Sequence, residues 1–297
     1  MTPPVPLTVA NDEVHELGEG PFWDPIREQL LWVDIRRGLV FVGELAADGT
    51  LRILDRVGFP GMVGAVAVAE SGHWIVAGTE ELLVRAPDGT VTTGPRIVPA
   101  GSGRRLNDGK PDPAGRYLVG TLPLEGESTT EELVVVDEQG EVRVLDDDLS
   151  LSNGLGWSTD GCRLYSVDTE RSAINVRDYD PATGEVGPRS VFATLDGATP
   201  DGMTVDAEDH LWVAVYGGGR VNRYSPDGAL VSVLEVPAKN TTCVAFAGPD
   251  LDTLVITTAT QGLDDEELRE LPDSGRLFTV RPGVRGRPQP LWSGRLG

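Results

Sequence analysis

The chain is poor in the residues on which several common chemistries depend. Two cysteines, Cys162 and Cys243, cannot build a disulfide framework, and they fit a reducing, cytoplasmic setting. Three histidines, His15, His73 and His210, lie far apart with no H-x-H or H-x-x-x-H pair, so any metal here is expected to take oxygen ligands. No apolar run approaches the ~18 residues of a membrane span. The start, MTPPVPLTVANDEVHE, has neither the basic nor the apolar region of a signal peptide. Basic residues are scarce, with 25 Lys+Arg against 47 Asp+Glu and a formal net charge of −22. Such a chain repels phosphate backbones and anionic lipid, which excludes nucleic acid and membrane surfaces as partners. Long amphipathic helices are absent as well. The best helical candidate, DDEELRELP at 264–272, reads as one short surface piece.

What is present is turn chemistry and short strands. Gly (37) and Pro (22) make up about one residue in five of the 297, and hydrophobic residues make up 39%, enough for a core. Apolar stretches such as LLWVDI, WIVAG, LVVVDE and LWVAV are separated by AADGT, APDGT, DPATGE and SPDGA. This predicts many antiparallel strands joined by tight turns.

The strands repeat. Six segments share one order: a polar or turn-like start, a strand, a turn and a second strand. They begin at Glu19, Val63, Asn107, Asn153, Asp201 and Thr242, at spacings of 44, 44, 46, 48 and 41 residues. Most units add a third strand and often a fourth, which is the content and size of a propeller blade. The expected fold is all-β: one six-bladed β-propeller over 1–297 with four antiparallel strands per blade, not two domains. The regularity argues against a large sandwich or barrel. The stretch near Leu7–Ala10 and the final PQPLWSG are expected to share a blade and close the ring.

Inner strands of a propeller line its central channel, so the six starting positions are candidates to face one another. Glu19, Asn107, Asn153 and Asp201 offer oxygen ligands, whereas Val63 and Thr242 do not offer strong ones. Two carboxylates and two amides meeting in a channel call for a hard divalent cation: Ca²⁺, Mg²⁺ or Mn²⁺, with Zn²⁺ and Fe²⁺ as alternatives. Singly, Asn153-Gly154 and Asp201-Gly202 read as turn dipeptides, and only the shared register argues otherwise. Arg105 and Asn107 read either as a pair projecting to one side to hydrogen-bond a polyhydroxylated ligand or, for the arginine, as a solvent-facing residue. The acidic 122–132 segment, LPLEGESTTEE, is either a loop over the channel mouth or a solvated insertion. Gly217-Gly218-Gly219 lacks the strand-to-helix setting of a phosphate loop. Trp23, Trp32, Trp157 and Trp212 follow the apolar registers and are read as blade packing, and the histidines as structural or exposed.

With these residues in view, the chain resembles the regucalcin (senescence marker protein)–gluconolactonase–luciferin-regenerating enzyme family from about Glu16 to Val280. The blocks that carry the resemblance are GEGPFWD at 18–24, RLNDGKPDPAGRYLVGT at 105–121, SNGLGWSTDG at 152–161, YSVDT at 165–169, PDGMTVDAEDHLWVA at 200–214 and GGGRV at 217–221. The resemblance implies a six-bladed propeller with one catalytic divalent metal in the channel. The metal ligands would be Glu19, Asn153 and Asp201, with Asp201 also the base. Arg105 and Asn107 would contact substrate, as would Glu125, although the LPLEGE loop around it differs from the family's.

The implied activity is hydrolysis of a small-molecule sugar lactone, opening an aldonolactone to its acid with a metal-activated water. Two readings compete with it: the same cage acting on non-sugar lactones, esters or phosphotriesters, and a non-catalytic propeller that binds calcium or a protein.

Overall fold

The computed structural model describes residues 6–297; residues 1–5, the start of the stretch read for a leader, lie outside the described residues. Six four-stranded antiparallel sheets make up the architecture. Their innermost strands are Gly18–Asp24, Ala65–Val68, Arg104–Pro111, Ser152–Trp157, Thr199–Val205 and Asn240–Ala247. Each packs against the next, and the sixth returns to the first, so the six sheets are blades around a channel. The near-constant repeat of the sequence is thus the repeat of the propeller. Among the described residues the one α-helix is Asp265–Glu270, held at its start by a capping box between Asp264 and Glu267. It is too short and polar to cross a membrane.

The core sits between blades rather than on the axis. Separate apolar clusters fill the spaces between neighbouring sheets; one joins Tyr165, Met203 and Val213 of blades four and five, another Trp212, Phe246 and Phe278 of blades five and six. Strands buried on both faces explain the continuous apolar runs, such as LWVAV. Trp23, Trp32, Trp157 and Trp212 are all buried, as packing residues should be. Trp32 stacks on Phe41 at 5.2 Å and donates from Nε1 to His15 Nε2 at 2.9 Å, while His15 Nδ1 is 2.7 Å from the Gly275 carbonyl. Both ring nitrogens of this buried histidine are used in structure, and burial holds its pKa down.

The ring closes by a strand from the N-terminus. Thr8–Val9 pairs with Phe278–Val280 and becomes the outermost strand of blade six, as expected for Leu7–Ala10. The expectation for PQPLWSG is corrected: this segment joins no blade. Pro288 and Pro290 have no N–H to give to a ladder. Instead the C-terminal tail crosses the channel mouth at the far ends of the inner strands. The Arg285 carbonyl accepts from Ala207 N (2.9 Å), Gly286 N donates to Leu251 O (2.7 Å) and Arg287 Nη1 to Ser158 O (2.9 Å). Gln289 Oε1 accepts from Trp23 N (3.0 Å), Trp292 N donates to Val68 O (2.9 Å) and Ser293 N to Gly115 O (3.0 Å). Every blade is touched. Trp292, 3% exposed, anchors the strap against blade two.

Candidate active site

The candidate side chains stand at irregularities of the inner strands. Where these strands pair with their second strands, the register shifts between Glu19 and Phe22, Leu106 and Gly109, Asn153 and Leu155, Pro200 and Met203, and Thr241 and Cys243. The blade-two pairing runs without a shift. A bulge adds local twist and re-aims a side chain, and here five of them fall at one level of the channel. The dipeptides Asn153-Gly154 and Asp201-Gly202 are therefore bulges inside strands, not turns. Glycine is required in them for space: a Cβ on Gly202 would lie 2.2 Å from Cys243 Sγ.

Glu19, Asn153, Asp201, Arg105 and Asn107 all line one cavity of about 300 Å³ at the start of the inner strands, and none is more than 7% exposed. The Glu19 Oε2 accepts from Gly20 N at 2.7 Å. Asn153 Nδ2 donates to Thr169 Oγ1 (3.2 Å), which donates in turn to Pro200 O (2.9 Å). This chain fixes the amide so that its oxygen is left for the channel. Arg105 Nη1 donates to Leu106 O (2.8 Å) and Asn107 Oδ1 (2.9 Å), and Asn107 Nδ2 donates to Ser152 O (2.8 Å), which ties blade three to blade four. Glu125 is exposed on the loop after the second strand of blade three and does not line the cavity; Leu122, Pro123 and Leu124 do.

The electrostatics are unusual for a folded interior. Burial pushes Glu19 well above the ordinary carboxylate range, and the charges of Asp201 and Asp108 push it further. Burial likewise raises Asp201, with Asp108 adding to it and the Asn153 side chain and Arg105 opposing. Burial brings the Arg105 guanidinium down to about 10. Neither Glu19 nor Asp201 has an ion-pair partner among the described residues, and Asp108 Oδ2 is buried with no hydrogen-bond partner. Uncompensated buried carboxylates cost several kcal/mol each. Two of them beside a free amide oxygen match the donor set of a hard divalent cation, so the residues fit such an ion.

Several contributors were not singled out from sequence. Asp34, fully buried, accepts from Glu16 N (3.0 Å) and Leu17 N (3.3 Å), just before Glu19. Asp168 accepts from Ser150 N (3.1 Å) and Leu151 N (3.3 Å), just before Asn153. Each pins the chain that leads into a residue lining the cavity. The signal was the recurrence of V-D-x-x-R at 33–37 and 167–171. Lys110 spans the channel below the cage, with Nζ 2.8 Å from Leu155 O and 2.9 Å from Met203 O. A second group of ligand-type atoms, on Asp206, Glu208 and His210, lies at the other end of the blade-five inner strand. There Asp206 Oδ2 already accepts from Trp212 Nε1 (2.9 Å) and from Arg223 Nε (2.9 Å) and Nη2 (2.6 Å). That carboxylate serves blade packing.

Fold and site together define a six-bladed propeller with a buried oxygen-donor cage at one mouth of its channel and a strap across the other. The chain belongs to the SMP-30/gluconolactonase/LRE-like family, whose model matches residues 17–260. It is 34% identical over 288 residues to regucalcin of Xenopus laevis, covering 92% of this chain and 94% of that one. It is 34% identical to a pentonolactonase of Haloferax volcanii over 98% of this chain and 99% of the other. Among solved structures it superposes on a calcium-binding protein, regucalcin, of Agrobacterium tumefaciens with a TM-score of 0.90, at 32% identity over 97% and 98% of the two chains.

Proposed function

We propose that the protein is a sugar lactonase that opens aldonolactones to aldonic acids and depends on a divalent cation held by Glu19, Asn153 and Asp201. The observation that carries this reading is the meeting of two buried, unpaired carboxylates with Arg105 and Asn107 in one small cavity. Relatives named for lactone hydrolysis, the pentonolactonase and a 6-deoxy-6-sulfogluconolactonase of Pseudomonas putida at 35% identity, support it.

When bound, the cation supplies Lewis acidity for the ester carbonyl and lowers the pKa of water beside it. The remaining roles belong to the chain. Asp201 takes the proton from the attacking water and returns it to the leaving ring oxygen. Arg105 spends only Nη1 on the protein, so its other N–H groups are free for substrate oxygens. Asn107 is oriented at both ends and offers its remaining donor and acceptor to sugar hydroxyls; such orientation contributes to rate. The strap crosses the far mouth, which leaves the cage side as the route for substrate.

The test is to strip the metal and measure acid release from five- and six-membered aldonolactones against a no-enzyme blank, restoring Ca²⁺, Mg²⁺, Mn²⁺, Zn²⁺ and Fe²⁺ separately. Turnover that disappears on chelation and returns with one of these ions is expected. Failure to exceed the blank with any of them would overturn the reading. A second reading, non-sugar lactones or esters, draws on the apolar wall formed by Met62, Leu122 and Leu124. Higher turnover of an aryl ester or alkyl lactone than of every aldonolactone would favour it.

A further inference from the structure

One cation at the rim of the cavity has no counterpart. Arg36 follows the second strand of blade one, is exposed and lines the cavity. Its neighbour Arg37 pairs with Asp34 (3.4 Å) and Glu13 (3.9 Å). Arg36 makes no ion pair among the described residues, and its polar contact is Nε to Gln261 Oε1 at 3.5 Å. Other basic residues, Arg163, Arg220 and Arg287 among them, also make no ion pair among the described residues, but Arg36 and Arg105 are the cations that line this cavity. The Arg36 charge reaches into the site: it opposes protonation of the Arg105 guanidinium and favours ionisation of the Tyr216 hydroxyl. Two like charges thus face one cavity.

The balance of charge sharpens the point. A divalent cation neutralises Glu19 and Asp201. Of the charged residues on the walls, Arg105 and Arg36 then remain against Glu170, while behind the wall the buried Asp108 is opposed by the charge of Lys110. Glu170 occupies the same register position as Arg36, V-D-T-E against V-D-I-R, and blade four stands across the ring from blade one. The rim is therefore polarised, positive over blade one and negative over blade four. A neutral lactone gains nothing from this field, whereas a ligand with an anion at its far end is both attracted and oriented by it.

We infer that the preferred substrates are aldonolactones bearing an anionic group remote from the ring ester, and that Arg36 is the residue that selects them. This rests on the lactonase reading. The anion is a carboxylate, sulfonate or phosphate, all of which a guanidinium can grip through two oxygens.

The test compares metal-loaded wild type, Arg36→Gln and Glu170→Gln on glucono-1,5-lactone, 6-phosphoglucono-1,5-lactone and glucaro-1,4-lactone. In parallel, calorimetry measures binding of the stable acids gluconate, 6-phosphogluconate and glucarate. In wild type, kcat/KM is expected to be at least about tenfold higher for a dianionic or acid-bearing lactone than for the neutral one. Arg36→Gln should lower that ratio about tenfold, corresponding to about 1.4 kcal/mol, with the change in KM more than kcat. Glu170→Gln should raise it, and added salt should shrink it. The phosphate and carboxylate arms report which anion is preferred. A wild-type ratio of one or less, or a ratio that Arg36→Gln leaves unmoved, overturns the inference. If no lactone exceeds its blank, the lactonase reading fails. The calorimetric arm then still decides the anion-selecting rim, which falls if 6-phosphogluconate and glucarate bind no tighter than gluconate.

Discussion

Gly154 stands directly against Asp201: a Cβ built on the glycine would lie 2.5 Å from the Asp201 carbonyl oxygen. The missing side chain is what lets the inner strands of blades four and five approach closely enough to bring Asn153 and Asp201 into one cavity. Gly154→Ala is therefore expected to separate the two donors. Overpacking of this kind costs typically about 1–3 kcal/mol. Thermal unfolding should show that loss, and calorimetric titration should show weakened divalent-cation binding.

Asp201→Asn keeps the shape of the site and removes the proposed proton acceptor together with one charged donor of the proposed cation site. Lactone hydrolysis should fall by roughly 10²–10⁴-fold, the usual scale of general-base catalysis. Circular dichroism should remain that of the folded protein. Undiminished turnover in a folded variant would remove Asp201 from the mechanism.

Thr169 acts through Asn153. Its hydroxyl accepts from the Asn153 amide and donates to Pro200 O, so Thr169→Val frees the amide to rotate. Loss of such an orienting partner typically lowers metal affinity about 10–100-fold. The metal dissociation constant should rise on that scale, and the variant should regain activity at saturating metal.

The raised pKa values of Glu19 and Asp201, joined by that of Asp108, contribute to the pH response of the metal-free protein. Between the ordinary carboxylate pKa near ~4 and the raised native values, the native state holds more protons than the unfolded one. The stability these groups contribute therefore falls as pH rises through that window, while buried His15, whose pKa is held below its usual 6.5, acts in the opposite sense as a single group. In chelator, the melting temperature is expected to drop from mildly acidic to neutral pH. A divalent cation should reverse the drop at neutral pH and act least at low pH, where protons compete for the same oxygens. Differential scanning at several pH values, with and without metal, checks both.

The strap is held by Trp292. Trp292→Ala removes a side chain only 3% exposed from between the tail and blade two. Large-to-small changes of this kind cost about 3–5 kcal/mol. The melting temperature should fall, and protease should cut within 286–297 faster than in wild type, with the blades intact.

The sequence by itself determined the architecture and the level of the site. Turn residues at near-even intervals leave room only for short strands, and the common order within each unit makes those strands blades. Glu19, Asn107, Asn153 and Asp201 share a position in that order, so ring symmetry alone makes them neighbours. The two halves of the ring closure differed in legibility. Leu7–Ala10 is a strand by its own pattern, whereas PQPLWSG carries apolar residues whose docking surface, the end of blade two, lies more than two hundred residues away. Tertiary structure alone decided what depends on distances between blades. It set Thr169 against Asn153 and left Glu125 outside the cavity. It used Asp34 and Asp168 to hold the chain leading into the cage, and it left Arg36 without a carboxylate while Arg37 beside it has two. A repeat pattern specifies which residues occupy equivalent positions. The charge each one feels depends on burial and on neighbours from other blades, which only the closed ring brings together.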